Sequence, residues 1–186
     1  MDQIGLVERA QRGDHDAFAV LAGAAIGRLD AAARLIVRDH DLARDAVQDA
    51  LVRCWRDLPT LRDAGAFDGW LHRLLVNACL DMLRRRRRRV VEVELTPLHD
   101  PSLGDFSRQL IDRDLLDRAL ATLEPEWRAI VVLHYLLEVP LPEVARSLGI
   151  PLGTAKSRLH RALSILRNAA TDDMPGVRAI ASERYA

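Results

Sequence analysis

The chain has 186 residues, 49% of them hydrophobic, so it can bury a core and wholesale disorder is excluded. Aromatic residues make up only 4%, while Ala, Leu, Arg and Asp dominate, which predicts an all-α protein. Basic and acidic residues balance at 27 each, but residues 1–89 carry a net charge of +3 and residues 90–114 one of −4. No apolar run approaches a membrane span, so we expect no membrane insertion.

The two cysteines, Cys54 and Cys79, lie 25 positions apart and fit neither a disulfide framework nor a zinc site. We predict that both are small apolar residues of the core and that the chain works in a reducing cytoplasm. The six histidines have no metal-ligand spacing, and the chain has no phosphate loop and no nucleophile elbow. The sequence therefore predicts no metal, no cofactor and no catalytic residue, and we interpret the protein as a non-enzyme.

Apolar residues at three- and four-residue steps predict a series of helices in the first half of the chain. The predicted helices cover about 14–29, 31–38, 41–58 and 67–89. Asp41 is the predicted N-cap of the third helix, and Pro59 ends it because proline removes a ladder hydrogen bond. Trp55 and Trp70 lie on apolar stripes, so we expect both in the core and not in base stacking.

The fourth helix runs out into six consecutive arginines, Arg84–Arg89. Such a run could be a solvated helix end, but with a DNA-binding element downstream, phosphate contact is the better interpretation. An acidic stretch with two prolines follows, and a second helical block comes after it. These changes predict two small helical domains joined by an acidic linker. The predicted divisions are 1–89, the linker 90–113, a helix-turn-helix domain 114–170 and a tail 171–186.

The most specific pattern is a helix-turn-helix between Leu141 and His160. Ala145, Gly149 and Ala155 have its spacing: a small residue lets two helices approach, a glycine makes the turn, and a second small residue packs the next helix. Thr154 is the predicted N-cap of that second helix. The helix then presents polar and cationic side chains outward, as a helix that enters the major groove does. The alternative is an ordinary helical hairpin with a solvated basic face. The outward residues are Lys156, Ser157, Arg158, His160 and Arg161.

Four segments resemble, in order, the bacterial RNA polymerase sigma factors of the extracytoplasmic-function (ECF) type. Residues 41–55 (DLARDAVQDALVRCW) are similar to the family's polymerase-binding helix, and residues 67–86 (FDGWLHRLLVNACLDMLRRR) to its promoter-melting helix. Residues 123–128 (LEPEWR) and 153–162 (GTAKSRLHRA) resemble its C-terminal domain. The resemblance covers about residues 14–169.

The resemblance implies a set of contacts for each module. Asp45, Gln48 and Asp49 would meet the clamp of the polymerase β′ subunit. The loop Pro59–Ala66 would hold a base flipped out of the −10 element. The residues implied at the −10 element are Thr60, Arg62, Asn77, Asp81, Arg84, Arg85 and Arg86. Those at the −35 element are Thr154, Lys156, Ser157, Arg158, His160 and Arg161.

On this interpretation the chain is a sigma factor that binds core RNA polymerase and directs promoter-specific transcription initiation. Its partners would be core polymerase and promoter DNA, with an anti-sigma protein as a candidate third. The main alternative is a free-standing helix-turn-helix repressor or activator, which would bind duplex DNA without polymerase. An enzyme of an unrecognised helical type is the second alternative.

Overall fold

The computed structural model describes residues 2–92 and 118–173, and within these ranges the secondary structure is helical, with no strand. The helices are α1 (Gln3–Gln11), α2 (His15–Val37), α3 (His40–Asp57), α4 (Phe67–Glu92), α5 (Pro125–Val131), α6 (Leu141–Leu148) and α7 (Leu152–Asp173). Short 3₁₀ turns at Leu58–Thr60 and Ala64–Ala66 lie between α3 and α4, and a π-helical turn, Val132–Leu136, follows α5. None of the described helices is long and apolar enough to cross a membrane. The predicted all-α fold is confirmed.

Helices α1 to α4 form the N-terminal module. Helix α1 was not predicted, although Leu6, Val7 and Ala10 give it a buried face. The predicted break before Ala31 is wrong, because α2 is continuous across it. Asp30 lies within α2 and does not start a new helix. Its carboxylate forms an i,i+4 ion pair with Arg34 at 2.7 Å on that helix.

The N-cap of α3 is Asp39, not Asp41. The Asp39 carboxylate accepts a hydrogen bond from Leu42 N at 3.0 Å, and Arg86 of α4 donates to its other oxygen at 2.6 Å. The backbone hydrogen bond from Leu42 and the Arg86 guanidinium hold the pKa of Asp39 below its usual value. The predicted position was wrong because both aspartates suit a cap locally, and the contact with Arg86 comes from a residue 47 positions away.

Residues 118–121 and helices α5 to α7 form the C-terminal module. Pro125 occupies the first turn of α5, as predicted. Gly149 has φ +65° between α6 and α7, a left-handed conformation that glycine adopts without a Cβ penalty, so the predicted turn is confirmed. Helix α7 begins at Leu152, so Thr154 is a residue of its first turn and not its N-cap.

The described residues cover the predicted linker and tail only in part. Helix α4 continues to Glu92, past the predicted domain end at residue 89. The rest of the acidic linker and the tail beyond Asp173 lie outside the described ranges.

The two modules are in contact. Helix α4 lies against α6, α2 against α5, and one apolar core cluster includes residues of both modules. Arg128 of α5 is only 7% exposed, and its Nη1 donates at 2.8 Å to the carbonyl oxygen of Ile36 in the last turn of α2. Burial lowers the pKa of Arg128 to about 10. Since the last carbonyls of a helix have no partner within it, this arginine satisfies one across the module boundary.

Candidate nucleic-acid interface

The outer face of α3 carries the three residues expected to contact polymerase. Asp45 and Gln48 are exposed, whereas Asp49 is half-buried. The Asp49 carboxylate is held by Arg53 one turn later, with Oδ2 at 2.7 Å from Nη2 and Oδ1 at 3.1 Å from Nε. This geometry leaves Asp45 and Gln48 free for a partner and ties Asp49 to its own helix.

An open apolar groove of about 620 Å³ runs beside this face, between α2 and α3. Its walls include Phe18 and Ile26 of α2 and Leu51 and Trp55 of α3, with Gln48 at the edge. Ile26 is 49% exposed. The expectation that Trp55 lies in the core is therefore wrong: it is half-buried, its ring centroid is 5.0 Å from that of Phe18, and it forms part of a surface groove. The three- and four-residue spacing of apolar positions on α3 did not distinguish a groove wall from a core position.

Thr60 and Arg62 lie exposed in the connection between α3 and α4, termed here the 58–66 loop. Thr60 donates its hydroxyl proton to the carbonyl oxygen of Asp57 at 2.6 Å, so Oγ1 keeps its lone pairs as acceptors. Asp63 accepts a hydrogen bond from Gly65 N at 2.9 Å and caps the second 3₁₀ turn. Local bonds thus give the loop a defined backbone.

Helix α1 also contacts the 58–66 loop, and no local sequence pattern predicts this contact. Gln11 Nε2 donates to the carbonyl oxygens of Leu61 at 2.7 Å and of Leu58 at 3.3 Å. At the other end of α1, Gln3 Nε2 donates to Asp68 Oδ1 at 2.8 Å, at the start of α4. Nothing in the local pattern marks these two glutamines, because their acceptors are 47 to 65 positions away.

On α4, Asn77 is exposed, as expected of a residue that contacts DNA. Asp81 lies between two cations, with Arg84 Nη1 at 3.3 Å and Arg53 Nη1 at 3.8 Å. Because Arg53 also holds Asp49, an ion-pair network joins the α3 face to this part of α4.

The arginine run does not form one uniform surface. Arg86 points back to Asp39, while Arg85 is exposed along with Arg87 and Arg88. Arg85 is thus available to a phosphate, whereas Arg86 would first have to leave the α3 cap.

The helix-turn-helix has the predicted interior. Val144, Ala145, Ala155, Leu159 and Ala162 are buried between α6 and α7 or against α5. The opposite face of α7 presents the predicted polar side chains: Lys156, Ser157, His160 and Arg161 are exposed, and Thr154 and Arg158 are half-exposed. Ser157 Oγ donates to the Thr154 carbonyl at 3.0 Å. This face has the length and charge of a helix that reads a major groove.

Both cysteines are fully buried, on α3 and α4, which confirms the prediction that they are core residues. Burial raises the pKa of each thiol to about 12, so neither ionises at neutral pH.

The part of the chain that the structure describes is helical. One module carries an apolar groove and an arginine-rich helix, and the second carries a helix-turn-helix, which together define a two-module transcription protein. Residues 24–89 match the family model "Sigma-70 region 2", and residues 113–166 match "Sigma-70, region 4". The chain belongs to the sigma-70 family as an ECF sigma factor, and it directs transcription initiation. The alternative of a free-standing repressor or activator is wrong, because regions 2 and 4 are the polymerase- and promoter-binding parts of a sigma factor.

Two relatives and one solved structure illustrate the likeness. The chain is 38% identical over 151 residues to the ECF RNA polymerase sigma factor SigM of Mycobacterium tuberculosis, covering 81% of this chain and 75% of that protein. It is 37% identical to the ECF sigma factor SigE of Mycolicibacterium smegmatis, covering 73% of this chain and 54% of that longer protein. The structure of the sigma factor RpoE with the anti-sigma factor NepR from Bartonella quintana matches with a TM-score of 0.65 and 25% identity, covering 85% of this chain and 96% of that one.

Proposed function

We propose that the chain binds core RNA polymerase through the outer face of α3 and the apolar groove beside it. The observation that carries this proposal is the groove itself, because monomeric proteins seldom leave contiguous apolar surface open to water unless something binds there. Gln48 borders the groove, and Asp45 lies exposed on the same outer face of α3, so both offer polar groups that can fix the register of a docked helix. In this proposal the occupant is the clamp of the β′ subunit.

The two DNA contacts are divided between the modules. The −35 element is read by the outer face of α7, where Arg158 and Arg161 can reach base edges and Lys156 a phosphate. The −10 element is opened and held by the 58–66 loop and by the α4 face around Asn77. Arg84 and Arg85 add phosphate contacts, and Arg86 joins them once it leaves Asp39.

The chain contributes binding surfaces to polymerase and no reaction of its own, so we class it as a non-enzyme. It would act in the cytoplasm, where polymerase and promoters are. The solved relative bound to an anti-sigma factor supports an anti-sigma protein as a third partner of this chain.

Reversal of the charge at Asp45 and Asp49 tests the polymerase contact. The amount of the double variant Asp45→Arg, Asp49→Arg that co-purifies with core polymerase should fall at least tenfold. Like charges would replace complementary ones across the interface. The helical circular dichroism of the variant should stay unchanged, because the Asp49–Arg53 contact that is lost is an i,i+4 pair of one helix, which contributes only about 0.3–0.5 kcal/mol. Glu8→Arg, at an exposed acid on α1, is the matched control and should bind as the unmodified protein does. Equal binding by the double variant and the control would remove the α3 face from the interface.

A further inference from the structure

We infer that Gln11, at the end of α1, is a positioning residue that holds the 58–66 loop in the shape that captures an opened −10 strand. This inference rests on the proposed role of that loop. It adds a residue outside both matched regions, since the region 2 match begins at residue 24.

The argument starts from the hydrogen bonds of the Gln11 side chain. A primary amide has two N–H groups, and the Gln11 amide lies within reach of two carbonyl oxygens, at 2.7 Å on Leu61 and 3.3 Å on Leu58. Leu58 O also accepts from Leu61 N at 3.1 Å, so the bonds close a small ring around Pro59 and Thr60. One side chain therefore fixes both ends of the four-residue turn that presents Thr60.

The anchor of this contact is rigid. Helix α1 is fixed on α2 by the buried side chains of Leu6, Val7 and Ala10, and it contacts both 3₁₀ turns of the loop. Gln11 is half-buried, so its bonds are partly shielded from water, whereas Thr60 and Arg62 point into solvent. Rigid support behind an exposed recognition group is what lowers the entropic cost of capturing a flexible single strand.

The consequence is specific to strand capture. The Leu61 carbonyl accepts its hydrogen bond from Gln11, and without that amide it would have only water. The turn could then move relative to α4. The positions of Thr60 and Arg62 relative to Asn77 would no longer be fixed. The polymerase face of α3 and the −35 face of α7 would be unaffected.

The test uses the complete chain in reconstituted holoenzyme on a promoter selected by that holoenzyme. Gln11→Met keeps the length of the side chain and removes both donors. Permanganate reactivity of −10 thymines and affinity for a single-stranded −10 oligonucleotide should each fall about fivefold, the scale of one lost hydrogen bond. Holoenzyme formation and binding to a −35 duplex should not change. Gln3→Met, which removes a contact of α1 with α4 outside the loop, is the matched control and should behave as the unmodified protein.

Further variants separate this inference from the proposed function. Gln11→Lys keeps a donor and should recover most of the lost opening. If Gln11→Met opens the promoter normally while Thr60→Ala and Arg62→Ala do not, the inference is wrong and the role of the loop stands. If none of the three impairs opening, the proposed role of the loop is wrong as well. An equal loss of holoenzyme formation and opening, or a Gln11→Lys variant no better than Gln11→Met, would show a general structural role and overturn the inference.

Discussion

At the scale of single residues, the buried polar side chains are the informative ones. His72 of α4 is buried, and its Nδ1 has no hydrogen-bond partner. Burial lowers its pKa below the usual 6.5; nearby Asp68 acts in the opposite direction, and Arg28 of α2 adds to the lowering. The folded protein therefore favours the neutral imidazole.

This environment predicts that the protein loses stability in mild acid. A base whose pKa is lower in the folded state binds fewer protons there, so the unfolded state gains protons first as the pH falls through 6.5. Urea unfolding at pH 7.5, 6.5 and 5.5 should show a falling free energy of unfolding. His72→Leu should flatten that dependence and add about 1 kcal/mol at pH 7.5, since it removes an unpaired buried polar atom. His160→Leu, at an exposed position, should keep the original slope; an unchanged slope in His72→Leu would contradict the prediction.

At the scale of helices, the sequence predicted those whose signal is local. The helix-turn-helix followed from Ala145, Gly149 and Ala155, because close packing and a left-handed turn each restrict the residue type. Helix α7 starts two residues before the predicted Thr154 because the Pro151 carbonyl accepts from Ala155 N at 3.0 Å. Gly153, which precedes the predicted N-cap, is helical. Its intrinsic cost of about 1 kcal/mol is offset when α7 packs on α5 and α6.

The features that the sequence missed depend on distant contacts. Helix α1 has nine residues, too few to be stable alone, and it exists because α2 covers its apolar face. Its loop contact through Gln11 is equally invisible in a local pattern. The candidate site was thus predictable where a helix presents it, on α3, α4 and α7, and not where tertiary hydrogen bonds shape it.

The α7 face gives a prediction at this same scale. Arg158→Ala and Arg161→Ala should each weaken binding to the preferred −35 sequence by about 1–3 kcal/mol and relax base preference at one position. Lys156→Ala should instead lower affinity evenly across sequences and reduce the salt slope by about one unit, as loss of one phosphate contact does. Fluorescence anisotropy with holoenzyme at several salt concentrations measures both. Arg12→Ala, at an exposed arginine of the other module, is the control; a uniform loss from all three α7 variants would argue against base reading.

At the scale of the whole molecule, the contact between the modules limits what the chain can reach. The −10 and −35 elements lie about 25 base pairs apart, or about 85 Å along B-form DNA at about 3.4 Å per base pair. A compact body of the 147 described residues, 2–92 and 118–173, has a radius of gyration of about 15 Å, far too small to span that distance. The modules must therefore separate before both elements are bound. The hydrogen bond from Arg128 to Ile36 is a contact that can be broken at small cost. When the modules separate, the guanidinium regains its hydration, which offsets the lost hydrogen bond.

Gly69 offers a way to separate the modules without damaging either. A Cβ on Gly69 would lie 3.1 Å from Oε2 of Glu143 on α6, so Gly69→Glu would bring a long acidic side chain against another acid. Within α4 the same change favours the helix, because glycine is a poor helix former and an acid in the first turn suits the helix dipole. Small-angle scattering of the free protein should then give a larger radius of gyration with unchanged helical content. Gly23→Glu, on an exposed part of α2 with open space around it, should leave the radius unchanged. An unchanged radius in Gly69→Glu would mean that the α4–α6 contact does not hold the modules together. A larger radius with undiminished holoenzyme formation would show that the chain binds core polymerase with its modules apart.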